Sequence, residues 1–459
     1  MTSRHRIPGL ALLAALAPAT VVAQTTRTST PEQRYAEWAA PTFDAVEYQG
    51  RRSGLLAELA RAGGGVLLVP SADGVTHGET FRQLDDFLYL TGLELPGSML
   101  ALDADAGEAV LFAPPRDFRF RNPGRANDFP GRPLGDDPTV ARAAGLDGTA
   151  PLEELPLRIA RWVADGRALW VDPDVPGDVP VPRPAYVGDL GPVETLLLRL
   201  RADHPGAVLR NAHPLVARAR MRKRPAEITR MRAAADATVQ GIRITARSIA
   251  PGVTEATLQG VFEGGCRAQG ALRIPFTPIV KSGPNSLWPW RILAAHADRR
   301  NRALEAGELV IQDVGCAVDD YVSDVGRTFP VDGTFTPVQR AKLEMITRVS
   351  GAVIAAVRPG VTFADLTRVA YQAIPDDEER YMQAPSYFGH HIGLSAGDPA
   401  LFEEPLAPGM VFTIEPWYYN HDLGISVFVE DVLLVTDDGV EVLTRALPRS
   451  PEDLERMVR

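Results

Sequence analysis

Three acidic residues sit where an acid is expensive. Asp313 lies in Leu309-Val-Ile-Gln-Asp-Val314, Glu415 ends Met410-Val-Phe-Thr-Ile-Glu415, and Glu430 interrupts Val427-Phe-Val-Glu-Asp-Val-Leu-Leu-Val435. Burying a carboxylate without a counter-charge is strongly unfavourable, so something must compensate them. Any one of these acids alone reads as a satisfied strand-end or turn residue. With Asp324 as a fourth, supplied in symmetric pairs, they could converge on two dications, with an imidazole completing the shell of one ion. Two dications roughly 3.5 to 4 Å apart lower the pKa of a shared water toward about 7, so a hydroxide nucleophile forms without any activated side chain.

The elements that must position these acids are written twice. Pro251-Gly-Val-Thr254 and Pro359-Gly-Val-Thr362 each follow a long helical pattern and each open another, with the threonine placed to cap the new helix. Gly307-Glu-Leu-Val-Ile-Gln-Asp313 and Gly409-Met-Val-Phe-Thr-Ile-Glu415 are then strands that put an acid six residues after a glycine. Asp324 follows its strand acid by 11 residues and Glu430 by 15. A duplicated helix-strand domain is expected, each half giving one pair of acids. It begins near Asn211, and Pro225 opens its first long helix, with Ile228, Met231 and Ala235 at helical spacing. Upstream, from about Tyr48 to Asp203, apolar runs such as Gly65-Val-Leu-Leu-Val69, Asp86-Phe-Leu-Tyr-Leu90 and Ala109-Val-Leu-Phe112 alternate with turns and helical patterns. This reads as an α/β domain with a mixed sheet. At 459 residues, two domains are the expected number. They are placed at 48–210 and 211–459, after a linker at 24–47.

The first residues differ from the rest. Arg4 and Arg6 precede an apolar run from Ile7 to Val22, closed by Val21-Val22-Ala23, the pattern of a secretory signal peptide over residues 1–23. A buried helix is disfavoured by Pro8 and Pro18. Export to the periplasm or the medium is expected, with no membrane association after cleavage. A net charge of −10 disfavours nucleic acid and anionic membrane as partners. Only Cys266 and Cys316 occur, too few for a disulfide framework or a thiolate zinc site, which leaves oxygen and imidazole as ligands.

Five segments resemble, in order, the ligand motifs of the pita-bread-fold metallopeptidases, which include methionine aminopeptidase, prolidase and aminopeptidase P. They are Val310-Ile-Gln-Asp-Val-Gly-Cys316, Ser323-Asp-Val-Gly-Arg-Thr-Phe-Pro-Val-Asp-Gly333, Gly389-His-His-Ile-Gly-Leu394, Pro408-Gly-Met-Val-Phe-Thr-Ile-Glu-Pro416 and Val429-Glu-Asp-Val432. Phe81-Arg-Gln-Leu-Asp-Asp-Phe-Leu-Tyr-Leu-Thr-Gly92 and Leu111-Phe-Ala-Pro-Pro-Arg-Asp117 resemble the creatinase and aminopeptidase P N-terminal domain, which methionine aminopeptidase lacks. The resemblance therefore narrows to the Xaa-Pro group. It implies a creatinase-like N-terminal domain, a pita-bread catalytic domain, and a metal site of Asp313, Asp324, His390, Glu415 and Glu430, with Asp324 and Glu430 bridging. The implied metal is Mn2+, while the ligand chemistry also admits Co2+, Fe2+ or Zn2+.

Glu415 is implied as the proton relay, and His296, 17 residues before Asp313, as a histidine that contacts the substrate. The expected activity is release of the N-terminal residue from Xaa-Pro peptides. A prolidase-like dipeptidase and a fold relative with altered or lost peptidase activity stand as alternatives. A homo-oligomer, a dimer, is the expected assembly. Three positions depart from the family pattern: Ser386 and Gly397 stand where histidines are usual, and Phe428 where an arginine is common. In the adjacent pair His390-His391, strand geometry sends neighbouring side chains to opposite faces, so His391 is expected to face away from the ions.

Overall fold

A computed structural model of the chain describes residues 41–74, 81–114, 138–183, 190–287, 301–382 and 389–459. The signal-peptide pattern and most of the linker lie outside them, as do Trp288-Pro-Trp290, His296 and Ser386. Helix α1 (Ala45–Arg61) leads into strand β1 (Val66–Pro70), helix α2 (Asp85–Thr91) and the strands β2 (Met99–Asp103) and β3 (Glu108–Ala113). Helix α3 (Pro138–Ala144), β4 (Gly148–Pro151), α4 (Leu155–Ala164), β5 (Leu169–Val171), α5 (Pro192–Asp203) and β6 (Leu209–Asn211) follow. The six strands form one sheet in the order β4-β3-β2-β1-β5-β6. β2 pairs antiparallel with both β1 and β3, and the other pairings are parallel, so the sheet is mixed as expected. β1 is buried at all five positions, as an unbroken apolar run covered on both faces should be. The equally apolar Phe87–Leu90 belongs to helix α2, whose residues Phe87 to Thr91 are all buried.

Helix α6 (His213–Met221) connects to α7 (Pro225–Ala246), which has proline in its first turn, and α8 (Glu255–Ala268) packs against it. Next come β7 (Ile279–Ser282), β8 (Leu309–Val314), the short hairpin β9 (Ala317–Val318) and β10 (Tyr321–Val322), and β11 (Val325–Pro330). The second half repeats the frame with α9 (Pro337–Ala356), α10 (Phe363–Ala373), β12 (Val411–Ile414), β13 (Trp417–Asn420), β14 (Ile425–Phe428), β15 (Asp431–Val435) and β16 (Val440–Val442), before a last helix α11 (Pro451–Val458).

The duplication is visible bond by bond. Thr254 Oγ1 accepts the Thr257 N–H at 3.1 Å, and Thr362 Oγ1 accepts the Asp365 N–H at 3.2 Å. Gly252 N–H donates to Leu304 O at 2.8 Å while Leu304 N–H returns a bond to Val253 O at 2.8 Å. Gly360 and Leu406 make the same exchange at 2.8 and 2.7 Å. Each Pro-Gly turn is thereby pinned to the segment that leads into its acid-bearing strand. β8 is the centre of an antiparallel sheet β11-β8-β7, and β12 pairs antiparallel with β15 in β12-β15-β16.

The largest apolar cluster runs from Leu55 and Phe87 in the N-terminal part to Val310, Phe329 and Val432 around the strands of the second part. A separate cluster containing Val353, Leu366, Phe412 and Leu433 lies behind the second half of the repeat. Cys266, in the last turn of α8, is joined to Cys316, two residues past β8, across a separation of 50 residues. Two cysteines make no framework, but this one bridge fastens the helix layer to the end of the strand that carries Asp313. In the chain-entropy view, closing a loop of this length contributes about 4 kcal/mol. Among the described residues, no helix is long and apolar enough to cross a membrane.

Candidate metal centre

Asp313 is in β8, directly opposite Gly326 of β11. Asp324 immediately precedes β11, Glu415 follows β12, and Glu430 lies between β14 and β15. The Glu430 N–H bonds to Gly326 O at 2.9 Å, which brings the last acid of the second half beside the first acid of the first half. His390 reaches them from a stretch laid along β12. Its carbonyl accepts the Thr413 N–H at 2.8 Å, and its own N–H donates to Thr413 Oγ1 at 3.2 Å. Gly389 makes that approach possible: it has φ 143°, and a Cβ there would lie 1.8 Å from Thr413 O.

All five residues meet. One ligand atom each from Asp324, His390 and Glu430 fall within 4.8 Å of one another. His390 Nε2 stands 3.3 Å from Glu415 Oε1 and 3.6 Å from Asp324 Oδ2. Asp313 lies close enough to Asp324 for its charge to bear on that carboxyl group. The four acids are between 1% and 8% exposed, so the apolar strands do bury them as their sequence context implied.

Burial pushes the Asp313 carboxyl up to about 7. Burial, followed by the charges of Asp313 and Glu415, raises Asp324 well above the carboxylate range, and burial with the charges of Asp324, Glu415 and Asp313 does the same to Glu430. The ion-pair partner of Arg327 is Asp431 rather than any of the four acids. Arg327, fully buried, gives its charge to Asp431 at 2.8 Å and otherwise bonds to backbone carbonyls, among them that of Glu430. Asp324 Oδ1 and Glu430 Oε2 are buried and have no hydrogen-bond partner. Buried oxygens of this kind, clustered with an imidazole nitrogen, fit hard divalent cations.

His391 turns the other way, as strand alternation predicted. Its ring is packed at centroid distances of 5.4 Å from Phe363 and 6.0 Å from Phe412, on the side of the second apolar cluster. Phe428 is fully buried, stacks on Trp417 at 4.1 Å, and presses on Gly326, where a Cβ would lie 2.0 Å from its ring. Gly397 is exposed, and a Cβ added there meets nothing within 4 Å.

Two contributors escaped the sequence reading. The Thr413 hydroxyl accepts from His390 and donates to Glu415 Oε1 at 3.4 Å; its position two residues before Glu415, on the same strand face, was a signal that could have found it. Tyr419, four residues after Glu415 and stacked on Trp417, feels the charges of Asp313 and Glu415, which add to burial in raising its hydroxyl pKa. Nothing local marks it.

The raised carboxyls make stability depend on pH in a defined direction. A folded-state pKa above the unfolded value means that the folded chain binds the proton more tightly. The resulting stability is present below the unfolded carboxyl pKa, near 4, and is lost as pH rises through about 7 for Asp313. Metal-free protein should therefore melt at a lower temperature at pH 7.5 than at pH 5.5, and Asp313→Asn should flatten that dependence. Equal slopes in the two proteins would contradict this account of the cluster.

Residues 229–437 match the model of metallopeptidase family M24, and residues 48–169 match that of the aminopeptidase P N-terminal domain. The chain is 30% identical to Xaa-Pro aminopeptidase 3 of Homo sapiens over 411 residues, covering 82% of this chain and 77% of that protein. It is 26% identical to the Xaa-Pro aminopeptidase of Escherichia coli over 453 residues, covering 90% and 97%. The solved structure of a putative aminopeptidase P from Bacillus anthracis has the same fold, with a TM-score of 0.77 at 22% identity over 91% of this chain and 99% of that one. With the N-terminal domain, the duplicated second domain and the acid-histidine cluster all in place, the chain belongs to the aminopeptidase P group of the pita-bread metallopeptidases, family M24.

Proposed function

We propose that this protein is an exported aminopeptidase that uses two divalent metal ions to hydrolyse the bond between an N-terminal residue and a following proline. The observation that carries the proposal is the convergence of Asp324, His390 and Glu430 ligand atoms within 4.8 Å, beside Asp313 and Glu415, in a chain of the aminopeptidase P group. Asp313, Asp324, His390, Glu415 and Glu430 would hold the ions. Manganese is the ion we favour. Bound there, the ions supply Lewis acidity and the means to make a water nucleophilic near neutral pH.

The protein's own groups do the rest. Glu415, oriented by the Thr413 hydroxyl, takes a proton from the attacking water and delivers it to the leaving proline nitrogen. His296, outside the described residues, is assigned by the resemblance either to stabilise the developing negative charge or to orient the residue after the cleaved bond. Export is supported by Arg4 and Arg6 ahead of the apolar run Ile7 to Val22, and the Cys266–Cys316 bridge is in keeping with an oxidising compartment.

The test is a peptide panel on purified, metal-reconstituted protein, containing a longer Xaa-Pro peptide, a Xaa-Pro dipeptide and a matched peptide with alanine in place of proline. Cleavage should require the added ion and be confined to the bond before proline, with the longer peptide preferred; equal cleavage of the alanine peptide would remove the specificity. Asp324→Asn and Glu430→Gln should each lose bound metal together with turnover, and full occupancy with activity in either would remove the dinuclear reading. N-terminal sequencing of exported protein should begin at Gln24, and an intact Met1 would refute cleavage there. The open space around Gly397 gives Gly397→His room to fold. Because a missing oxyanion donor typically costs roughly 10²- to 10³-fold in rate, that substitution should raise turnover on a Xaa-Pro peptide. A fall in rate would show that the contact at Gly397 is not what limits the enzyme.

A further inference from the structure

We propose that Asp398 and Arg220 are positioning residues for the metal-binding histidine, and that the N-terminal domain holds them in place through Asp85 and Asp86 of α2. The inference rests on the metal site proposed above and assigns a task to residues that do not touch it.

The His391 carbonyl oxygen accepts two hydrogen bonds, one from His390 Nδ1 at 3.2 Å and one from the Asp398 N–H at 3.1 Å. A carbonyl can only accept, so the His391 oxygen favours the imidazole proton on Nδ1 and makes Nε2, 3.3 Å from Glu415 Oε1 and 3.6 Å from Asp324 Oδ2, the ligating nitrogen. That is the tautomer in which a histidine ligates through Nε2, and its orientation is set by the loop from His391 to Asp398.

Asp398 anchors the loop. Its carboxylate is 7% exposed and lies between two buried cations, taking Arg220 Nη2 on Oδ1 and Lys223 Nζ on Oδ2 at 3.1 Å. Gly393 leaves no room for slack, because a Cβ there would lie 2.5 Å from Asp398 Oδ2. The Gly393 carbonyl receives the Val322 N–H at 2.9 Å, tying the same loop to β10 just ahead of Asp324.

Arg220 continues into the N-terminal domain. Nη1 donates to Asp86 Oδ1 at 2.8 Å, and Nη2 reaches Asp85 Oδ2 at 3.3 Å. Arg82, beside α2, bonds Asp85 at 2.8 Å and donates to the Leu394 carbonyl of the loop at 2.8 Å. One guanidinium thus serves carboxylates of both domains. Well-packed apolar side chains could match a buried ion network for stability, but they could not fix a direction for the loop; a positional task accounts for the charges.

The test uses ¹⁵N-histidine-labelled full chain, with the His390 signals identified by their loss in His390→Gln. In metal-free wild type, His390 should be the Nδ1–H tautomer. Asp398→Asn keeps the shape but weakens the hold of Arg220 and Lys223, so His390 should become a mixture of tautomers, and the manganese dissociation constant, measured by chelator competition, should rise roughly 10- to 100-fold. Asp86→Asn, across the domain junction, should shift both readouts the same way by less. A folded Asp398→Asn protein with a wild-type tautomer and a manganese affinity within about twofold of wild type overturns the proposal, since a merely structural role moves the unfolding midpoint alone. If Asp398→Asn does not fold, Asp86→Asn and Arg82→Ala decide in the same way. Wild-type protein that binds no manganese defeats the function proposed above, while the tautomer measurement on metal-free protein still decides this one.

Discussion

Four carboxylates in one buried place repel one another, and most of what surrounds them makes sense as restraint against that repulsion. Folding alone would let such groups part or protonate. Three of them are held from behind: Asp313 by the ladders on both sides of β8, Glu430 by its bond to Gly326 and by Arg327 beneath its carbonyl, Glu415 by the Thr413 hydroxyl. Arg327 stiffens the frame through its ion pair with Asp431. A cation between the carboxylates would relieve the repulsion and be bound the more tightly for it, so metal binding and folding draw on one source of energy.

Duplication explains how such an arrangement is assembled. Each half brings a strand, a turn pinned by the same reciprocal backbone bonds, and two acids, so neither half alone gathers enough negative charge to hold two ions. The histidine breaks the symmetry, because only the second half supplies one.

The site was legible in the sequence because burying an acid in an apolar strand leaves a local trace, and the duplication was legible because it repeats at the level of single residues such as Thr254 and Thr362. The mixed sheet followed from short apolar runs bounded by turns. What could not be read depends on pairs far apart in the chain. Cys266 and Cys316 carry no sign that they meet, and Arg220 and Asp398, 178 positions apart, look like ordinary surface charges until the fold buries them together. The segment Phe87–Leu90 is apolar enough for a strand, and only its place beneath α1 makes it a helix.

Phe428 stands where related enzymes often carry an arginine, and its surroundings determine how that difference can be changed. The ring lies against Trp417 on one side and the backbone at Gly326 on the other, with Ile279 and Ile311 completing an apolar shell. A guanidinium put into that slot would lose its water and find aromatic and aliphatic carbon, so Phe428→Arg alone would bury an unpaired charge. Trp417 and Phe428 pack as one unit, their ring centroids 4.1 Å apart. An arginine at this position needs a smaller or polar partner where Trp417 now stacks.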